Sequence, residues 1–120
     1  MTLGIASVTV DCADALVVGR FWSAALGRRL DAGASSEFAA IAFAQRRDTA
    51  GWAPTDRLDE VTWLFVRVPE PKTAKNRLHL DLAADDPEDE VTRLVELGAT
   101  RVRDGVLADP DGNELRLRSP

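Results

Sequence analysis

The sequence holds one histidine, His79, and one cysteine, Cys12. A chain with one histidine cannot build by itself a His-His-carboxylate iron site, a three-histidine zinc site or an HExxH helix. One cysteine excludes an internal disulfide, a cysteine-rich zinc site and a CxxC redox pair. A block of basic residues is also lacking: Lys+Arg is 15 against 20 Asp+Glu, a net charge of −5. A nucleic-acid partner is therefore not expected. No apolar run reaches the length that spans a bilayer, so no membrane partner is expected either. The opening residues Met1-Thr2-Leu3-Gly4-Ile5 lack a charged stretch followed by a long apolar one, unlike a signal peptide. With the single cysteine, this leads to the expectation of a cytoplasmic protein.

What is present is ordinary globular composition, 45% hydrophobic and 29% charged over 120 residues, enough for one domain with its own core. Two segments resemble each other. Val8-Thr9-Val10-Asp11-Cys12 leads into a helical pattern that stops at Gly27. Leu78-His79-Leu80-Asp81-Leu82 leads into one that stops at Gly98. The offset is 70 residues at the aspartates and 71 at the glycines, so strand, helix and helix stop recur in order, as in a duplication. Asp14 suits the first helix as N-cap and Gly27 as its left-handed stop. Asp86-Pro87 reads as N-cap followed by proline at the first helical position. The buried stripes are expected at Val17, Val18, Phe21, Trp22 and Ala25, and at Val91, Leu94 and Val95.

Strand candidates follow each helix, at 28–32, 38–43 and 61–68, then at 101–103, 106–108 and 114–118. Asp109-Pro110-Asp111-Gly112-Asn113 has the chemistry of a turn. The reading is β-α-β-β-β twice: module one over 1–68, a linker over 69–76 and module two over 77–120. A polar loop spans 44–60, long for a compact domain.

This duplicated unit resembles the vicinal oxygen chelate superfamily, which includes glyoxalase I, extradiol dioxygenases and bleomycin-resistance proteins. Arg20-Phe21-Trp22-Ser23-Ala24-Ala25-Leu26-Gly27 is similar to the first-helix motif of bacterial glyoxalase-like domains. Val68-Pro69-Glu70-Pro71-Lys72, continuing through Lys75-Asn76-Arg77-Leu78-His79-Leu80-Asp81-Leu82, is similar to a mid-chain signature of one branch. Asp109-Pro110-Asp111-Gly112-Asn113-Glu114 is similar to the turn before the last strand. The resemblance implies an α+β fold of two βαβββ modules, a cupped eight-stranded mixed sheet with helices outside and a ligand cavity inside. It also implies a homodimer. Metal-dependent members of the superfamily draw ligands from the first and last strand of each module. The matching positions here are Ser7, His79, Arg116 and the apolar group Leu64, Phe65 and Val66. One of the four survives, so no metal site and no cofactor are expected.

Strand alternation gives a second, independent reading. With Val8, Val10, Leu78, Leu80, Leu82, Leu115 and Leu117 facing the helices, Ser7, Thr9, Asp11, Arg77, His79, Asp81, Glu114, Arg116 and Arg118 share the other side. That side is either a solvated sheet surface laced with ion pairs or, curved as the resemblance implies, a ligand-binding face. His79 is a candidate acid/base, since its charge changes near neutral pH. It is equally a polar side chain tied to Asp11 or Asp81. Arg77 and Arg116 are candidates for anion recognition, or they neutralise Asp11, Asp81 and Glu114. Trp22 is expected in the core, and Trp63 and Trp52 are candidates for lining a ligand. Cys12 has the parity of an inert buried thiol. A Ser7-His79-Asp81 triad lacks the strand-turn-helix context of a nucleophile. Two functions follow: a metal-independent small-molecule-binding protein of glyoxalase-like type, or a lyase or isomerase on a small oxygenated substrate that uses His79.

Overall fold

A computed structural model of the chain describes residues 3–44 and 57–120. The chain divides into two compact units, Met1–Glu70 and Pro71–Pro120. Trp52 and most of the loop expected over 44–60 lie outside the described residues.

In the first unit, β1 (Ser7–Cys12) runs into α1 (Ala15–Leu26), followed by β2 (Phe38–Ile41) and β3 (Thr62–Arg67). The helix begins where the sequence caps it. The Asp14 carboxylate accepts from the N–H groups of Leu16 and Val17, at 3.0 and 3.1 Å. It ends at Gly27, which takes the left-handed conformation, φ 65°, that favours glycine. The sheet order is β1-β3-β2, with β1 parallel and β2 antiparallel to β3. Helix α1 packs on this sheet. The core holds Val18, Phe21 and Trp22 from the helix, with Ala39, Ile41, Trp63 and Phe65 from the strands. Cys12 is buried, and its thiol donates to the Val66 carbonyl.

In the second unit, β4 (Leu80–Ala83) precedes α2 (Pro87–Leu97), β5 (Thr100–Arg103), β6 (Val106–Ala108) and β7 (Glu114–Arg118). Asp86 caps α2 by accepting from the Asp89 N–H at 3.2 Å, and Pro87 opens the helix. The sheet order is β4-β7-β6-β5, with β4 parallel to β7 and the other pairs antiparallel. Helix α2 packs on β7 through a core that includes Val91, Leu94, Leu115 and Leu117. The turn before β7 is as expected. The buried Asp109 carboxylate accepts from the N–H groups of Asp111 and Asn113, both at 2.9 Å. In both units the strand before the helix lies parallel to the last strand, so the duplication read in the sequence is also one of topology.

The class is α+β, with seven strands rather than eight among the described residues. The missing one is the candidate at 28–32. Its Asp31 N–H reaches the Ala40 carbonyl at 2.8 Å, the start of a ladder. Gly33, at φ 86°, turns the chain away immediately afterwards. The Asp31 carboxylate instead accepts from the N–H groups of Ala42, Phe43 and Ala44 at 3.0–3.1 Å, which stops β2 at Ile41, short of the expected Phe43.

Three burial expectations also fail. The strand expected over 77–83 begins only at Leu80, so Leu78 does not face the helix and is 84% exposed. Val17 and Val95 lie at the edges of their helix stripes and are 50% and 39% exposed.

Candidate functional site

The second unit carries a polar sheet face whose geometry follows from strand register. Leu80 stands opposite Leu115 and Leu82 opposite Leu117 on the helix side, leaving Asp81 opposite Arg116 on the other. Along β7, Glu114, Arg116 and Arg118 share that face. His79 and Asn76 come from the irregular segment just ahead of β4.

Asp81 is the centre of one network. The His79 Nδ1 lies 2.9 Å from its Oδ1, and the Arg118 Nε donates to its Oδ2 at 2.7 Å. The Arg118 bond, helped by that guanidinium's charge and by His79, holds the Asp81 carboxyl below the usual carboxylate range. His79 is half-exposed, with 42% of its side chain accessible. When the imidazole is neutral, the carboxylate at Nδ1 selects the tautomer with the proton on Nδ1. The Nε2 is then an acceptor.

Glu114 is the centre of a second network. Its Oε2 accepts from the Asn76 backbone N–H at 2.8 Å, and its Oε1 lies 3.2 Å from the Arg103 guanidinium. The Asn76 bond, with Arg103 and Lys75 nearby, lowers the Glu114 carboxyl as well. The Asn76 side-chain Nδ2 donates to the Leu78 and Glu114 carbonyls, at 3.2 and 3.4 Å.

Arg116 sits between the two networks, opposite Asp81 on one side and Val106 on the other. Both neighbouring carboxylates are already engaged. Its Nε is buried and, among the described residues, has no hydrogen-bond partner; the same holds for the Asn76 Oδ1.

The pairing differs from the sequence-based expectation. Among the described residues, Asp81 pairs with Arg118 and lies against His79, and Glu114 pairs with Arg103, rather than either pairing with Arg77 or Arg116. Arg77 lies exposed in a bend ahead of β4, so strand parity does not apply to it. Asn76 and Arg103 were missed. Neither periodicity nor residue type marked them, because a loop asparagine and an edge-strand arginine are ordinary surface residues in sequence.

The candidates in the first unit are placed differently. Ser7, Thr9 and Asp11 share the β1 face that turns away from α1, in register with Thr62, Leu64 and Val66. Trp63 has the opposite parity. It is 5% exposed and packs in the core, its ring centroid 4.9 Å from that of Trp22. It belongs with the helix side rather than with Ser7 and Thr9.

At the position matched to the last-strand ligand, Arg116 has no lone pair to offer. Asp81 at the His79 Nδ1 leaves Nε2 as the ring nitrogen available to a ligand. Among the described residues no group of three or more His, Cys, Asp or Glu side chains gathers as a ligand set.

The lowered carboxylates fix the sign of a pH effect. A carboxylate with a folded-state pKa below its unfolded value adds stability above the unfolded value. It loses that stability as pH falls through the folded one. Urea unfolding is expected to give constant stability above about pH 5 and a steady loss from about pH 4 downward. Arg118→Met, which leaves Asp81 with His79 alone, is expected to make that acid slope shallower. An unchanged slope in the variant would refute the Arg118–Asp81 contribution.

The glyoxalase-like domain family matches residues 7–118. No curated protein matches the sequence. Among solved structures, the fosfomycin resistance protein FosX from Mesorhizobium loti is 15% identical with a TM-score of 0.67, covering 100% of this chain and 94% of that one. A glyoxalase/bleomycin resistance protein/dioxygenase family enzyme from Burkholderia phytofirmans is 17% identical with a TM-score of 0.65, covering 96% and 97%. The bleomycin-binding protein of Streptomyces verticillus, solved with copper(II)-bleomycin, is 17% identical with a TM-score of 0.56, covering 100% and 98%. At these identities the likeness is one of fold. Among the described residues, no helix is long and apolar enough to cross a membrane.

Proposed function

The chain belongs to the glyoxalase-like domain family, and from that premise we propose that it is a small-molecule-binding protein that works without a divalent metal. Its ligand is an anion held on the polar face of the second unit. The observation that carries the reading is Arg116, a guanidinium set among carboxylates that other groups already neutralise, with a buried Nε that has no partner among the described residues. Arginine is always charged and binds carboxylate or phosphonate oxygens through two parallel N–H bonds. The structural relatives support a small-molecule ligand, since two of them are named for small molecules, fosfomycin and bleomycin. A homodimer and a cytoplasmic setting belong to the same proposal. The first predicts a solution mass twice the 13.0 kDa of one chain.

Metal analysis of the purified protein tests the metal-free part. No divalent ion is expected in stoichiometric amount. One tightly held ion per chain, lost in His79→Ala, would overturn the reading.

One observation favours a second reading, an enzyme of lyase or isomerase type. Asp81 lies 2.9 Å from the His79 Nδ1, which leaves Nε2 as the acceptor of a half-exposed side chain. Nitrogen-15 spectra at pH 8 are expected to show the Nδ1–H tautomer, changing to a mixture in Asp81→Asn. A neutral ring protonated on Nε2 in the parent protein removes this reading.

A further inference from the structure

Strand β5 changes face partway along. Arg101 stands opposite Leu107 and Arg103 opposite Val106, because the β5–β6 register shifts between the two arginines. Adjacent residues of β6 point to opposite sides of the sheet, so the arginines do as well. In a regular strand the two would share a face. Arg103 reaches the polar face, where it pairs with Glu114. Arg101 goes with Leu107, which stands opposite Leu115 on the helix side.

On that helix side a cavity of about 320 Å³ lies between the start of α2 and the β5–β6 hairpin. The volume is at the small end of the range of ligand sites. Val91 from the helix and Leu107 from the sheet, 5% and 2% exposed, form its floor, and Val102, 46% exposed, borders it. Glu88, Arg101 and Asp104 also line it, and all three are exposed. Among the described residues, none of these three takes part in an ion pair. The cavity thus combines apolar surface with charges of both signs. All of them border one small volume, so a single small molecule on the floor meets both signs.

We infer that this cavity is a second binding site, on the side of the sheet away from Arg116, for a small apolar α-amino acid. The carboxylate of the ligand pairs with the Arg101 guanidinium and its ammonium with the Glu88 and Asp104 carboxylates. Its side chain covers Val91, Val102 and Leu107. A molecule with only a carboxylate meets Glu88 and Asp104 as like charges, and one with only an ammonium meets Arg101 in the same way. The zwitterion meets an opposite charge at each end. The site does not rest on the binding reading above, because none of the residues named for it reads the ligand of the polar face.

The test is an NMR titration of the full chain with leucine, following the methyl signals of Val91, Val102 and Leu107. Isocaproate, which lacks the ammonium, isoamylamine, which lacks the carboxylate, and glycine, which lacks the apolar body, are titrated beside it. Leucine is expected to bind at least about fivefold more tightly than isocaproate or isoamylamine. Glycine is expected to give no saturable shift. In Arg101→Gln the preference for leucine over isoamylamine is expected to vanish. Any of the three analogues binding as tightly as leucine overturns the inference, and so does the absence of a saturable shift of these methyls with leucine. Both results leave the binding reading at Arg116 standing, since propionate tests that face separately. The analogue comparison uses the unaltered protein, so it decides the matter even if Arg101→Gln does not fold.

Discussion

Arg116→Met is expected to weaken the binding of a small carboxylate by about thirtyfold or more, since truncating one partner of a desolvated charge pair costs about 2–5 kcal/mol. The same substitution is expected to leave stability unchanged or slightly raised. Two accounts of Arg116 separate here. If its role were to hold the sheet together, removing it would leave a carboxylate unpaired, and the cost would appear in unfolding. The carboxylates on either side already have partners: Asp81 has His79 and Arg118, and Glu114 has Asn76 and Arg103. Methionine fills a similar volume and removes a buried donor that has no acceptor among the described residues. Calorimetric titration together with urea unfolding reads both quantities. Lost stability with retained binding would assign Arg116 to structure.

Trp63→Ala is expected to cost about 3–5 kcal/mol, the range for deleting a large aromatic from a core. That is a large share of the roughly 5–15 kcal/mol that holds a domain of this size. Trp63 is 5% exposed, packs against Trp22 at 4.9 Å and stacks on Phe65 with ring centroids 6.2 Å apart. The indole therefore joins helix α1 to the middle of its sheet, and alanine would open a cavity that the Trp22 and Phe65 rings cannot close by small shifts. Leu78→Ala is the contrast. Sequence alternation gave Leu78 a core-facing place, but the side chain is 84% exposed, and its loss is expected to change stability by less than about 0.5 kcal/mol. Comparable losses in the two variants would refute the placement of both residues.

These two residues show what the sequence carries and what it does not. Helix ends were legible because their chemistry is local. Asp14, Gly27 and Asp86 each act within a few residues of themselves. The alternation in β7 was legible because the strand is regular, so Leu115 and Leu117 fall in the core with Glu114 and Arg116 opposite. Alternation misled where it was extended past the end of a strand. Leu78 and Arg77 precede Leu80, where pairing begins, and lose the parity that a longer strand would have given them. The candidate at 28–32 failed for a related reason: Asp31 offers one ladder bond and then turns its carboxylate to the N–H groups at 42–44.

The choice of ion-pair partners was not legible at all. An arginine side chain reaches several carboxylates, and which one it takes depends on register across strands far apart in sequence. Asp81 and Arg118 are 37 residues apart. The candidate face was thus readable as a set of residue types. Its working arrangement, with Arg116 as the guanidinium beside carboxylates already taken, was not.

The most direct test of the account is titration of propionate into protein dialysed against a chelator, repeated after adding Mn²⁺ or Zn²⁺. Saturable binding in the metal-free sample, with an affinity changed by less than about twofold on adding either ion, is the predicted result. Binding that appears only after a divalent ion is added would contradict it.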